Sequence, residues 1–260
     1  MRRALSADGT EIAFDQTGHG PPVILVVGAF NDRSTGAPLA KALESQLTVL
    51  NYDRRGRGAS GDTQPYSVER EVEDLDALIR EAGGEARVFG YSSGANLALE
   101  AAGRGLNITK LALYEAVFMV GDGAPRPPKD MADQLAKLVA AGRRGDAVEL
   151  FQTRFVGIPE EVVVQMRHAP FRPALEATAH TLVYEALIVG DLSLPVARLK
   201  SINAPTLAVY GGASPALMGD AAKALAELLP KGRVRSLDGQ THDIVPSALA
   251  PVLLEFFADS

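Results

Sequence analysis

This chain of 260 residues predicts an α/β fold: a mainly parallel sheet of roughly eight strands, flanked by helices. Three observations carry that expectation. Short apolar runs alternate with helical patterns along most of the chain, the sequence form of a parallel sheet covered by helices. The run Val23-Ile24-Leu25-Val26-Val27 is continuously apolar, as a strand buried on both faces should be, and is too short to cross a bilayer. Finally, Gly90-Tyr91-Ser92-Ser93-Gly94 joins a strand pattern to a helical one through a sharp bend.

Taken in order, strands are expected at residues 2–6, 10–15, 23–29, 47–53, 86–90, 110–114, 205–210 and 233–237, with helices between most of them. Residues 67–82 place Val68, Val72, Leu75, Leu78 and Ile79 at helical spacing, while the charged side chains fall largely on the other face. That segment packs a core and carries no chemistry. Residues 121–200 break the alternation, with helical patterns such as Met131, Leu135, Leu138 and Val139 but no convincing strand. Pro125, Pro127, Pro128, Pro159, Pro170 and Pro173 punctuate them. Strand patterns resume at Pro205, so the expected division is one core, residues 1–120 and 201–260, with a helical cap at 121–200. An insertion at this point would lie over the carboxyl edge of the sheet, where open α/β sheets bind ligands.

Composition narrows the function. Net charge is −6, and the basic residues form no long positive stripe, so a nucleic-acid partner is not expected. The absence of cysteine excludes disulfides, thiolate metal ligands and a cysteine nucleophile. None of the four histidines pairs with another at close metal-ligand spacing, so neither a metal nor another cofactor is expected. The first residues, Met1-Arg2-Arg3-Ala4-Leu5-Ser6-Ala7-Asp8, lack the apolar stretch of a secretory signal. The expectation is a cytoplasmic protein with a small-molecule substrate and no membrane association; the oligomeric state is left open.

Ser92 carries the chemistry. At a tight strand-to-helix bend, a glycine on either side avoids collision with neighbouring backbone and leaves the serine hydroxyl exposed. The N–H of Ser93, at the helix start, faces the same space and suits a developing oxyanion. These features, with Val26-Val27-Gly28-Ala29-Phe30, the turn Tyr52-Asp53-Arg54-Arg55-Gly56-Arg57-Gly58-Ala59-Ser60 and the late Gly239-Gln240-Thr241-His242, make the chain resemble the α/β-hydrolases with a helical cap over nearly its full length. By that resemblance Ser92 is the nucleophile, and the second oxyanion N–H comes from the loop after residues 23–27, with Ala29 the best match and Phe30 next. The family often has a histidine where Val27 stands here, but the oxyanion contact is made by backbone.

The resemblance implies the chain order serine, acid, histidine, which only His242 satisfies as base. His19 lies in a turn, and His168 and His180 belong to the cap, where ordinary structural roles are expected of them. The acid departs from the family's commonest pattern. Gly211-Gly212-Ala213-Ser214-Pro215 stands where an aspartate usually follows the strand, and the next carboxylate is Asp220 inside a helical pattern. Glu115, at the end of the strand that follows the serine helix, is the expected acid, with Asp220 the alternative. The doubled Ser92-Ser93, the placement of Glu115 and the missing later acid also resemble zearalenone-lactonase-like hydrolases.

The implied reaction is hydrolysis of an uncharged, mostly apolar carboxylic ester or lactone through an acyl-enzyme. Phe118, Phe155, Phe171 and Tyr184 are the candidate substrate contacts, although aromatic residues at such spacing more often pack a core. Arg54, Arg55 and Arg57 are read as a brace near the oxyanion loop rather than an anion site, with Asp53, Asp62 and Glu69 close in sequence to neutralise them. A cofactor-free lyase or cyclase and a small-molecule sensor on the same scaffold stay open. Dinucleotide binding is disfavoured, because the glycine spacing at Gly90 and Gly94 is not the dinucleotide fingerprint.

Overall fold

The computed structural model describes residues 1–121 and 126–258; Pro125 lies outside them. Eight strands form one sheet: β1 (Arg2–Leu5), β2 (Glu11–Gly18), β3 (Pro22–Val26), β4 (Thr48–Tyr52), β5 (Ala86–Tyr91), β6 (Ile108–Tyr114), β7 (Thr206–Gly211) and β8 (Gly232–Leu237). Their spatial order is β1-β2-β4-β3-β5-β6-β7-β8. The pairs β1/β2 and β2/β4 are antiparallel, and every pairing from β4 to β8 is parallel. From β3 the chain steps to β4 on one side and then to β5 on the other, so β3 and β5 flank the point where strand order reverses. Crevices outside the carboxyl ends of the strands open at such a point.

Helices α1 (Arg33–Leu43), α2 (Val68–Glu81) and α3 (Ser93–Gly103) connect the strands up to β6. Between β6 and β7 the described residues form only helices: α4 (Met131–Ala140), α5 (Arg144–Leu150), a π-helical turn (Phe151–Val156), α6 (Glu160–Gln165), a 3₁₀ turn (Met166–His168), α7 (Arg172–Ala177), α8 (Thr181–Val189) and α9 (Val196–Leu199). Then α10 (Ala216–Leu228) joins β7 to β8, and α11 (Pro246–Ala258) follows β8. No helix among the described residues is long and apolar enough to cross a membrane.

Strand alternation sorts the side chains between the two faces of the sheet. On β3, Ile24 and Val26 pack with Val72, Leu75, Leu97 and Leu225 from α2, α3 and α10. Val23 and Leu25 point the other way, to Leu39 and Leu43 of α1 and Leu253 and Phe257 of α11. Each fully buried leucine or phenylalanine contributes about 1.5–3 kcal/mol relative to exposure. A third cluster, built from Leu135, Val148, Phe151, Phe155 and Leu182, fills the inserted helices, and Ala29 and Phe30 pack against it.

Two strand ends differ from expectation by three residues, the others by no more than two. β2 runs on to Gly18 because Gln16, Thr17 and Gly18 pair with Leu50, Val49 and Thr48 of β4, although their composition is polar. β3 stops at Val26, because the backbone turns away and reaches a positive φ of 62° at Phe30.

The start of α3 lies directly against the end of β3. A Cβ on Gly94 would sit 2.3 Å from the carbonyl oxygen of Val26 and 2.7 Å from that of Val27, both backbone atoms. Gly94→Ala is therefore expected to lower stability by about 1–3 kcal/mol, as overpacking does. A shifted urea midpoint measures this, and an unchanged midpoint would contradict the close approach.

Candidate active site

The carboxyl ends of β5, β6, β7 and β8 bring together residues distant in sequence. Ser92 follows β5 with φ 54° and ψ −131°, its N–H bonded to the Tyr114 carbonyl of β6 at 2.9 Å. Glu115 follows β6, also with positive φ (52°), its N–H bonded to the Val209 carbonyl of β7 at 2.9 Å. With Phe30, three of the four non-glycine residues at positive φ among the described residues lie in this one place; Leu192 is the fourth. Backbone strain of this kind costs about 1–3 kcal/mol per residue and clusters at functional sites.

The Glu115 side chain is fully buried, and each of its oxygens has a donor. Oε2 lies 2.7 Å from His242 Nδ1, and Oε1 accepts the Gly211 N–H at 2.8 Å. Burial raises a carboxyl pKa, yet the His242 ring and the Gly211 N–H together hold Glu115 below its ordinary value. The glycine-rich segment after β7 thus serves the site without an aspartate. Its Ala213 N–H also donates to Gln240 O at 2.9 Å, and the Tyr114 hydroxyl donates to Thr241 O, which anchors the loop carrying His242. Asp220 is exposed on α10.

His242 stands beside the Ser92 elbow, its ring centroid 5.1 Å from that of Tyr91. Neither His242 Nε2 nor the Ser92 hydroxyl has a hydrogen-bond partner among the described residues. Gly28 lets the loop after β3 close on the elbow, since a Cβ there would come within 2.8 Å of Ser92 Cβ. In that loop the Ala29 N–H donates to the Ser93 hydroxyl at 3.0 Å. The N–H groups of Phe30 and Ser93 have no partner among the described residues.

Arg54, Arg55 and Arg57 are all buried. Arg54 holds Glu71 through two hydrogen bonds, binds Glu185 at 2.8 Å, and donates to Val27 O at 3.2 Å. Arg57 donates to Gly28 O at 2.6 Å and Asn31 O at 3.2 Å, and pairs with Glu185. Arg55 turns away to Asp74 and Asp8. The brace is present with different carboxylates from those expected. Asp53 instead holds Arg33 and the Ala59 N–H, Asp62 accepts from Tyr184, and Glu69 pairs with Arg104.

Glu185 is the residue that sequence reasoning missed. It is fully buried on α8, and Arg54 and Arg57 outweigh burial to hold its pKa below the ordinary range. The signal was a single charge in the otherwise uncharged Thr181–Val189.

The aromatic candidates separate. Phe155 stacks on Phe151 at 4.7 Å, and Phe151 meets Phe30 edge-on at 5.6 Å, a row that leads from the inserted helices to the loop beside Ser92. Phe118 is buried in the core on the α2, α3 and α10 face. Tyr184 stacks on Tyr66 at 3.7 Å and its hydroxyl bonds Asp62, while Phe171 is 47 % exposed. His180 Nε2 bonds Gly56 O at 3.0 Å, and His19 and His168 are exposed. No group of three or more metal-ligating side chains occurs among the described residues.

Comparison with known proteins matches residues 23–252 to the model of the alpha/beta hydrolase family. The crystal structure of an alpha/beta hydrolase from Sphaerobacter thermophilus is 53 % identical, with a TM-score of 0.91, covering 99 % of this chain and 100 % of that one. The uncharacterized hydrolase YraK of Bacillus subtilis is 34 % identical over 100 residues, which is 37 % of either chain. The 3-oxoadipate enol-lactonase 1 of Acinetobacter baylyi is 25 % identical over 76 % of this chain and 73 % of its own.

The Glu115 carboxylate has a stability signature in pH. Because its folded pKa is depressed, its contribution is fully present above the ordinary glutamate pKa of about 4.3 and is lost as pH falls through the folded value. Glu115→Gln lacks this titration. Urea unfolding should find wild type more stable than Glu115→Gln at pH 6, with the gap narrowing at pH 3; a gap that widens on acidification would contradict the assignment.

Proposed function

The chain belongs to the alpha/beta hydrolase family, and from that premise we propose that it hydrolyses an uncharged, mostly apolar carboxylic ester or lactone, with Ser92 as nucleophile, His242 as base and Glu115 as acid. The observation that carries this reading is the 2.7 Å contact from the buried Glu115 to His242 Nδ1, which leaves Nε2 for the Ser92 hydroxyl. Glu115 selects the tautomer with the proton on Nδ1 and stabilises the imidazolium that forms. His242 takes the Ser92 proton as the oxygen attacks the acyl carbon, and the carbonyl bond pair moves onto oxygen. Collapse of that intermediate expels the leaving alcohol, which takes the proton from His242. Water then attacks the acyl-enzyme with the same base.

Phe30 and Ser93 are the proposed oxyanion donors. Ala29, the better match by position, gives its N–H to the Ser93 hydroxyl, whereas Phe30 keeps its own free. Donors that are fixed before reaction need no reorganisation when charge develops, and each is worth about 10²–10³-fold in rate.

Residues 121–200 act in this reading as a cap that selects substrate. Phe30, Phe151 and Phe155 supply an aromatic wall, which favours an apolar acyl or ring portion. The lactone side of the proposal draws on the enol-lactonase named above.

A fluorophosphonate probe followed by a panel of esters and lactones tests the reaction. Labelling should map to Ser92, and Ser92→Ala should lower turnover by at least ~10³-fold with the fold intact. Glu115→Gln should cost ~10²–10⁴-fold, and Asp220→Asn little. Adduct on Ser93, or the reverse ranking of the two acid variants, would overturn the residue roles. Labelling without turnover would favour a lyase, cyclase or sensor.

A further inference from the structure

Both ends of the Gly28–Ala29 peptide are held. Its carbonyl accepts from Arg57 at 2.6 Å and its N–H donates to the Ser93 hydroxyl at 3.0 Å. The next peptide is held at one end only. The Ala29 carbonyl accepts from Asn31 Nδ2 at 2.6 Å, and Asn31 Oδ1 is itself fixed by the Thr35 hydroxyl at 2.9 Å. Its other end is the unpartnered Phe30 N–H. Because a peptide is planar, fixing the Ala29 carbonyl aims the Phe30 N–H in the opposite direction. Glu185 pairs with Arg57 and Arg54, which between them hold the carbonyls of Val27, Gly28 and Asn31.

We infer that Glu185, on α8, is a positioning residue for the oxyanion site: through Arg57 and Arg54 it fixes the loop that presents the Phe30 N–H. This rests on the hydrolytic reading above and adds to it a residue from the inserted helices that touches no reacting atom. A neutral, fully buried side chain at this place would leave Arg54 and Arg57 with Glu71 as their one remaining carboxylate partner among the described residues. The loop would then lose its fixed peptide planes rather than its residues. Such a change weakens binding of the transition state more than binding of the substrate.

The test uses the full chain with Glu185→Gln and, separately, Arg57→Lys, which keeps the buried cation but loses the planar fork that holds Glu185 and the Gly28 carbonyl together. Hydrolysis of a p-nitrophenyl ester gives kcat and KM, and a boronic acid inhibitor, which binds Ser92 as a tetrahedral anion, reports on the oxyanion site. Melting temperatures are measured alongside. The expected result is a kcat about 10–100-fold lower with KM within threefold, and boronate affinity weakened by a similar factor. If Glu185→Gln does not accumulate as folded protein, Arg57→Lys decides the matter by the same criteria. Unchanged kcat and boronate affinity in a folded variant, or a rise in KM alone, would overturn the role of Glu185 while leaving the hydrolytic reading in place. A wild-type protein that neither turns over the ester nor binds the boronate would remove both.

Discussion

A buried carboxylate organises the carboxyl edge of this sheet. Glu115 is 1 % exposed, and a charge in that position must be met by donors or it becomes costly. The donors come from separate elements: the Gly211 N–H from the end of β7 and the His242 ring from the loop after β8. The requirement to satisfy one side chain therefore ties β6, β7 and the last loop together. Tyr114 and Ala213 reinforce the arrangement by holding Thr241 O and Gln240 O, so the histidine is placed by backbone as well as by its own ring. The positive φ of Glu115 is the local cost of aiming its carboxylate along this line.

A second buried charge system supports the opposite side of the elbow. Arg54 and Arg57 with Glu71 and Glu185 form a compact group of two cations and two anions. Breaking such a group by removing one member costs about 3–5 kcal/mol, whereas an apolar replacement of the whole is often neutral, so stability alone does not explain it. What an apolar cluster would not do is orient carbonyls. The guanidinium groups hold Val27 O, Gly28 O and Asn31 O, and these contacts shape the loop between β3 and α1. Because Glu185 belongs to α8, the helices between β6 and β7 are joined to that loop by charge, and by the Phe30 to Phe151 contact through packing.

The parts of the structure that were legible in the sequence are those governed by local pattern. All eight strands overlap their expected ranges, and the inner strands β3, β4, β5 and β7 are the plainest, because burial on both faces leaves a near-continuous apolar run that needs no tertiary information. The polar end of β2 was not legible, since its pairing with β4 is long-range and one face is solvated. Glu115 was readable through chain order and through the absence of a carboxylate after β7. Glu185 was not, because a helix interior does not reveal which charges it will meet; a single glutamate in an apolar helix was the only trace. The partners of the three arginines were misplaced for the same reason: nearness in sequence is a poor guide to a buried ion pair between residues 131 positions apart. The Ala29 to Ser93 hydrogen bond, which moves the free N–H one residue along the loop, depends on how closely Gly28 lets that loop approach the elbow.

In the proposed reaction Ser92 carries the acyl group during turnover. Rapid quenching of a reacting mixture with a p-nitrophenyl ester, followed by intact and peptide mass measurement, tests this most directly. The expected result is one added acyl mass, located on Ser92 and accumulating further when deacylation is slowed. Turnover with no acylated protein under conditions of a product burst, or an acyl group located on another residue, would contradict it.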